Sequence, residues 1–194
     1  MTNVINLSSI VKESCWRNCF MQKKRKLELR DMVMIGMLAA ICVIATLIKI
    51  PFGVGAMVHL GTAAVFIIGI LFGGIYAGLA AAIGSAFFDL LLGFSPYTIW
   101  SFVIKGAAGF TVGVVARGLW PELIVGPKWL FRSCLGMALA ASCTLGGYVI
   151  AWWAVTGSVS VAISNMPSSL LTSGVGFVVA IIIAPKLRQI LHKQ

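Results

Sequence analysis

Asp89 and Lys105 are the residues best placed to do chemistry, because each is an ionisable group inside an otherwise apolar stretch. An ionised side chain in a membrane-spanning helix costs roughly 2.5–3.5 kcal/mol on insertion scales, so it pairs or serves a polar cavity. Polar residues at helical spacing accompany them: Tyr97, Ser101 and Lys105 at i, i+4 and i+8, Thr144, Tyr148 and Trp152 likewise, and Asn165, Ser169 and Thr172 further on. Trp100, Tyr148 and Trp152 could stack on a flat heterocycle, while Lys105, Asp89, His59 and Asn165 could bond its substituents. That is the chemistry of a site for a small polar ring compound. Other readings stay open: Trp100 and Trp153 suit an aromatic belt at the membrane interface. Asp89 and Lys105 suit a structural ion pair, His59 suits a wet loop, and Asn165 can cap a helix ahead of Pro167.

The elements that must position these residues follow from composition. Hydrophobic residues make up 60% of the chain and charged residues only 10%, and the mean hydropathy is +1.02. The expected fold class is all-α, an integral membrane six-helix bundle. A hydrocarbon core of about 30 Å takes about 20 helical residues per crossing, and six spans fit, at residues 32–50, 57–73, 75–93, 98–119, 130–155 and 165–184. The second and third share one apolar run split at Gly73-Gly74, which demands a very tight turn.

Charge placement orients the bundle. Of the 15 Lys and Arg, seven precede the first span, Arg117, Lys128 and Arg132 flank the loop between spans four and five, and three follow span six. The positive-inside rule makes that side, with both termini, cytoplasmic, in a multi-pass protein of a bacterial plasma membrane. The formal net charge of +10 thus reflects topology and anionic headgroups rather than nucleic-acid binding. In this frame Asp89 and Lys105 lie at similar depth in the outer half, close enough to meet.

Two domains are expected: a basic cytoplasmic or interfacial segment over residues 1–31, and a six-span domain over residues 32–194. In the first, Lys12, Arg17 and the run Lys23, Lys24, Arg25 and Lys26 surround Val11, Cys15, Cys19 and Phe20, which suits an amphipathic helix on the inner leaflet. It equally suits an extension ahead of a start at Met21. No cleavable signal peptide is expected.

The five cysteines lie on the reducing side or within spans, so disulfides are not expected. Cys15 and Cys19 have helical spacing, but His59 and His192 fall on opposite sides of the membrane, so no metal site is expected. Nor is a cofactor. There is no G-x-S-x-G arrangement and no G-x-x-x-x-G-K-S/T loop, so the chain reads as neither an enzyme nor an ATPase by that route. Gly74, Gly78 and Ala82, and likewise Gly109 and Gly113, form small-residue ladders for tight internal packing. Gly36 and Ala40, with Ala39 beside them, form a small face on the first span that could meet a partner.

From His59 to Gly113 the sequence resembles the substrate-binding S components of energy-coupling factor (ECF) vitamin transporters. The motifs are V-H-L-G-T-A-A-V-F, G-S-A-F-F-D-L-L-L-G-F-S-P-Y and F-V-I-K-G-A-A-G-F-T-V-G. The branch most resembled is the riboflavin-type group that includes proteins assigned to hydroxymethylpyrimidine and pyridoxine uptake. The resemblance implies a bundle that captures a vitamin outside and docks on a transmembrane coupling protein driven by two cytoplasmic ATPase subunits. The family's A-x-x-x-A docking motif corresponds to Gly36 through Ala40, with Gly in the first position. The expected function is therefore a non-enzymatic capture subunit for a pyridoxine- or hydroxymethylpyrimidine-type vitamin. Its substrate residues would be His59, Asp89, Tyr97, Trp100, Ser101, Lys105, Thr144, Tyr148, Trp152, Asn165 and Ser169, with a coupling interface of Gly36, Ala39 and Ala40. Pantothenate, which Lys105 could hold by its carboxylate, riboflavin, and a stand-alone facilitator are the alternatives.

Overall fold

A computed structural model of the chain describes residues 27–51, 57–119 and 129–191. The amphipathic segment and the start at Met21 lie outside the described residues, as do Lys128 and His192. The chain divides between Met32 and Val33. In the described part of the first unit, Asp31 Oδ2 accepts a hydrogen bond from the Glu28 N–H at 3.1 Å, which closes the start of the first helix as a capping contact.

Six α-helices occur among the described residues: α1 (Leu29–Leu47), α2 (Gly61–Phe72), α3 (Gly74–Leu91), α4 (Thr98–Ala116), α5 (Trp129–Thr156) and α6 (Val159–Leu191). Five are long and apolar enough to cross a membrane; α2, with 12 residues, is shorter. The all-α membrane fold is thus as the composition implies, with two corrections at the start. The first span ends at Leu47 rather than residue 50, and the second begins at Gly61 rather than residue 57. The intervening residues instead form an antiparallel hairpin, β1 (Lys49–Pro51) with β2 (Met57–His59), pairing Lys49 with His59 and Ile50 with Val58. β-Branched residues next to a proline favour extended backbone over helix. The Leu60 N–H donates to Ile48 O at 3.3 Å and completes the turn into α2.

The Gly73-Gly74 junction is as tight as the sequence requires. Gly73 alone separates α2 from α3, at φ 87° and ψ 179°, a region where a side chain is strained. Beyond it, the Gly74 and Ile75 N–H groups donate to the carbonyls of Gly118 and Leu119, at 2.9 and 3.1 Å. The start of α3 is therefore capped by the chain leaving α4.

Small residues set the packing of α2, α3 and α4. A Cβ on Gly109 would sit 2.5 Å from the Ala77 carbonyl, and one on Gly113 would sit 2.5 Å from the Gly74 backbone. The glycine ladders are internal contacts, and they let the α3 and α4 backbones nearly touch. Thr62 meets Lys105 and Gly69 meets Val112, so α2 runs parallel to α4, whereas Gly74 meets Val114 and Gly78 meets Phe110, so α3 runs antiparallel to it. The core divides in two. One cluster joins Ile35, Leu38, Ala39 and Cys42 of α1 to α2 and α3, and the other joins Phe66 and Ile70 to α4, α5 and α6.

The last helix corrects a third expectation. α6 begins at Val159, six residues before Asn165, and runs on through both Pro167 and Pro185. Asn165 is therefore inside the helix and does not cap it. Each proline removes one intrahelical hydrogen bond, and packed neighbours and hydroxyl side chains make that tolerable in a membrane helix.

Candidate functional site

The hairpin end of the bundle gathers the polar residues. The end of α1, β2, the start of α2, the end of α3, the short 3₁₀ turn Ser95–Tyr97 with the start of α4, the last half of α5 and the first half of α6 surround a cavity there. The volume open to the centres of water molecules is about 90 Å³. One water needs about 10–15 Å³ on that measure, so the cavity has room for a small multi-atom ligand.

Nine of the eleven residues expected to bind substrate line this one cavity: His59, Asp89, Tyr97, Ser101, Lys105, Thr144, Tyr148, Trp152 and Ser169. Trp100 and Asn165 do not. On a helix Trp100 points 100° away from Ser101, and it is partly exposed. Asn165 is 2% exposed and sealed within the helix packing, where its carbonyl accepts from Ser168 Oγ at 2.8 Å.

Lys105 is buried, yet its closest partner is not Asp89. Its Nζ donates to Thr62 Oγ1 at 3.1 Å and lies 5.4 Å from the centre of the Tyr148 ring, close enough for a cation–π attraction. Asp89 Oδ2 is buried with no hydrogen-bond partner. Of the two sequence readings for this pair, direct ion pairing leaves that oxygen unexplained, because a buried acceptor without a partner costs about 1–3 kcal/mol, and more when charged. The Asp89 carboxyl also has Ser101 as a hydrogen-bonding neighbour. Ser101 Oγ in turn is 3.1 Å from the Tyr148 hydroxyl. Tyr148, Ser101 and Asp89 thus form a short polar chain from α5 through α4 to α3.

Aromatic and hydroxyl surfaces complete the walls. The Tyr148 and Trp152 rings are 5.6 Å apart at 31°, and Phe88 and Phe94 also line the cavity, with Lys49 Nζ 5.3 and 5.9 Å from their ring centres. Ser168, Ser169, Thr172 and Ser173 supply the α6 side. The Thr172 hydroxyl reaches the carbonyls of Ser168 at 2.8 Å and Met57 at 3.3 Å, and so ties α6 to the hairpin.

His59 has a defined tautomer. The Gly61 N–H donates to its Nδ1 at 3.1 Å, so the neutral ring carries its proton on Nε2. Burial, with Lys105 and Lys49 nearby, pushes its pKa down to about 3. It is a neutral donor at physiological pH.

Sequence reasoning missed Thr62, Cys42, Thr46, Phe94, Ser168 and Ser173 as wall residues. Thr62 was the most legible of these, since it opens an apolar helix three residues after His59. Cys42 and Thr46 share a face of α1 at i, i+4, with Thr46 Oγ1 bonded back to Cys42 O at 2.6 Å.

The three residues expected at a coupling face are placed differently. Ala39 is buried, and its carbonyl is 2.8 Å from where a Cβ on Gly84 would lie. It belongs to the contact of α1 with α3. Gly36 and Ala40 are exposed, and nothing lies within 4 Å of a Cβ built on Gly36. Among the described residues, no group of three or more His, Cys, Asp or Glu could hold a metal ion.

Comparison with known proteins bears on this arrangement. A solved structure reported as "Structure and mechanism of the S component of a bacterial ECF transporter" aligns with 84% of this chain and 97% of its own, at a TM-score of 0.64 and 17% identity. At that identity the likeness speaks for the fold. A curated relative from Pyrococcus woesei, described as an uncharacterized protein in the gap 3′ region, is 30% identical over 80 residues, 41% of this chain and 53% of that protein. The chain thus spans about half the length of that relative. The family described as ECF-type riboflavin transporter, S component, matches residues 26–189. With a six-helix fold, a polar cavity at one end and a match over most of its length, the chain belongs to the ECF-type riboflavin transporter S-component family.

Proposed function

We propose that the protein captures a small, uncharged or zwitterionic heterocyclic vitamin, of the pyridoxine or hydroxymethylpyrimidine type, in the cavity at the hairpin end. As a member of its family it is a substrate-binding transport subunit, not an enzyme, that works with ECF coupling and ATPase components. The observation that carries the substrate reading is the buried, unpartnered Asp89 Oδ2 in the same cavity as Lys105. An acceptor and a cationic donor together favour a ligand that brings both a donor and an acceptor. A lone carboxylate such as pantothenate would gain Lys105 but face the Asp89 charge. Tyr148 and Trp152 offer a flat apolar surface for one ring. Riboflavin is the second reading, favoured by the family description.

Arg117, Arg132, Lys186 and Arg188 lie at the far end, beyond the C-terminus of α4, in the first turn of α5 and in the last turns of α6. The positive-inside rule supports a cytoplasmic far end and a cavity that opens outside. Gly36 and Ala40 would then form the α1 face offered to the coupling protein.

Native mass spectrometry of the purified protein against a panel of B vitamins tests the substrate reading. Pyridoxine or hydroxymethylpyrimidine is expected to be retained; retention of riboflavin or pantothenate alone overturns it. Substrate uptake into vesicles by this chain without ATP would remove the need for a motor and favour a facilitator.

A further inference from the structure

The far end of the bundle carries a cationic cluster that plays no part in the cavity. Arg132, in the first turn of α5, donates from Nε to the Val115 carbonyl at 3.0 Å. Its two terminal nitrogens have no partner among the described residues. The Arg188 guanidinium, near the end of α6, stacks 4.7 Å from the centre of the Trp129 ring. None of its N–H groups is hydrogen-bonded among the described residues. Trp129 and Arg132 are three apart on α5 and share a face. Arg188 also lies close enough to Arg117 for the two like charges to oppose each other, while Arg117 is itself engaged with the Leu71 carbonyl. Among the described residues from Val33 onward the one acidic side chain is Asp89, at the other end of the bundle.

We propose that Trp129, Arg132 and Arg188 form a binding site for the phosphate headgroup of an anionic lipid. Two guanidinium groups held on neighbouring helices, one clamped to a backbone carbonyl and the other to an indole face, present planar donors suited to phosphate oxygens. Their surroundings select a lipid over a soluble anion. Leu130 and Phe131 on α5 are 50% and 69% exposed, and Leu187 and Ile190 on α6 are 37% and 58% exposed. The charged groups are thus flanked by apolar surface for acyl chains, at the ends of membrane-spanning helices. A tryptophan at that depth is an interfacial anchor, and basic pockets between helix ends are suited to acidic headgroups.

The full chain would be placed in nanodiscs of phosphatidylcholine with a minor fraction of phosphatidylglycerol, and the retained lipid counted by native mass spectrometry after release into detergent. Preferential retention of phosphatidylglycerol is expected. Arg132→Gln and Arg188→Gln should each weaken it about five-fold, the equivalent of the ~1 kcal/mol that a basic residue contributes beside anionic lipid. Arg132→Lys with Arg188→Lys, which keeps the charge, should retain more of it than the double Gln variant, and circular dichroism would show that all variants fold. Equal retention of the two lipids, or unchanged retention in the double Gln variant, overturns the proposal. So does loss of phosphatidylglycerol to 10 mM inorganic phosphate, since the site would then recognise soluble phosphate alone.

Discussion

Lys105 on α4 donates its ammonium to Thr62 on α2 at 3.1 Å, and so spends one of its three donors within the protein and keeps the others for the cavity. A lysine held in this way is a fixed point charge rather than a mobile one. Asp89 is left with an oxygen that has no protein partner.

Lys105→Met should weaken ligand binding about 10- to 100-fold, since a hydrogen bond to a charged group contributes roughly 1.5–3 kcal/mol. Asp89→Asn should cost a similar factor for a ligand that donates to Oδ2. Titration calorimetry on the purified protein reads both. Unchanged affinity in both variants would reassign the pair to structure.

Thr62→Val removes the anchor without removing the charge. Affinity should fall by about 1 kcal/mol, the usual net worth of such a bond, with a smaller effect than Lys105→Met. An effect as large as that of Lys105→Met would mean that Thr62 itself touches the ligand.

His59 imposes a pH dependence on stability. Its folded pKa, about 3, is below the unfolded value near 6.5. Between the two, the unfolded chain takes up a proton that the folded chain refuses. Stability is therefore fully present above about pH 6.5 and falls as the pH drops toward 3. Melting temperatures in detergent at pH 7.5, 6 and 5 should decline, and His59→Gln should flatten the decline.

The glycines separate packing from docking. Gly109→Leu drives a side chain into the Ala77 carbonyl and should destabilise the bundle by at least the 1–3 kcal/mol typical of overpacking. Gly36→Leu meets nothing within 4 Å and should leave the melting temperature and ligand affinity unchanged. Co-purification with the coupling and ATPase subunits should nevertheless be lost. A Gly36→Leu protein that still assembles would place the docking face elsewhere.

Much of this was readable from residue order, and the failures have physical causes. Tyr97, Ser101 and Lys105 could be set on one face because a helix repeats every 3.6 residues, and the structure keeps them together. Gly73 declared its turn because only a residue without a side chain fits there easily. The hairpin was hidden because 49–51 and 57–59 are too short for a period of two to stand out from an apolar helical run. Pro167 misled the reading of Asn165, since a proline signals a helix start in water and is absorbed within a helix in a membrane. Thr62 could not be identified as the partner of Lys105, because that contact spans 43 positions and depends on how two helices are rotated.

The shortness of α2 has a consequence for where capture takes place. α2 and α3 start back from the same junction at Gly73, yet α2 has 12 residues and α3 has 18, a difference of about 9 Å in height. The missing turns leave one wall of the bundle lower than its neighbour, and Thr62 and Lys105 meet near its top. A ligand bound against that pair, as proposed, would lie below the rim of the neighbouring helices. Asp89 and Lys105 are both buried there, so their fields are less screened than at an open surface.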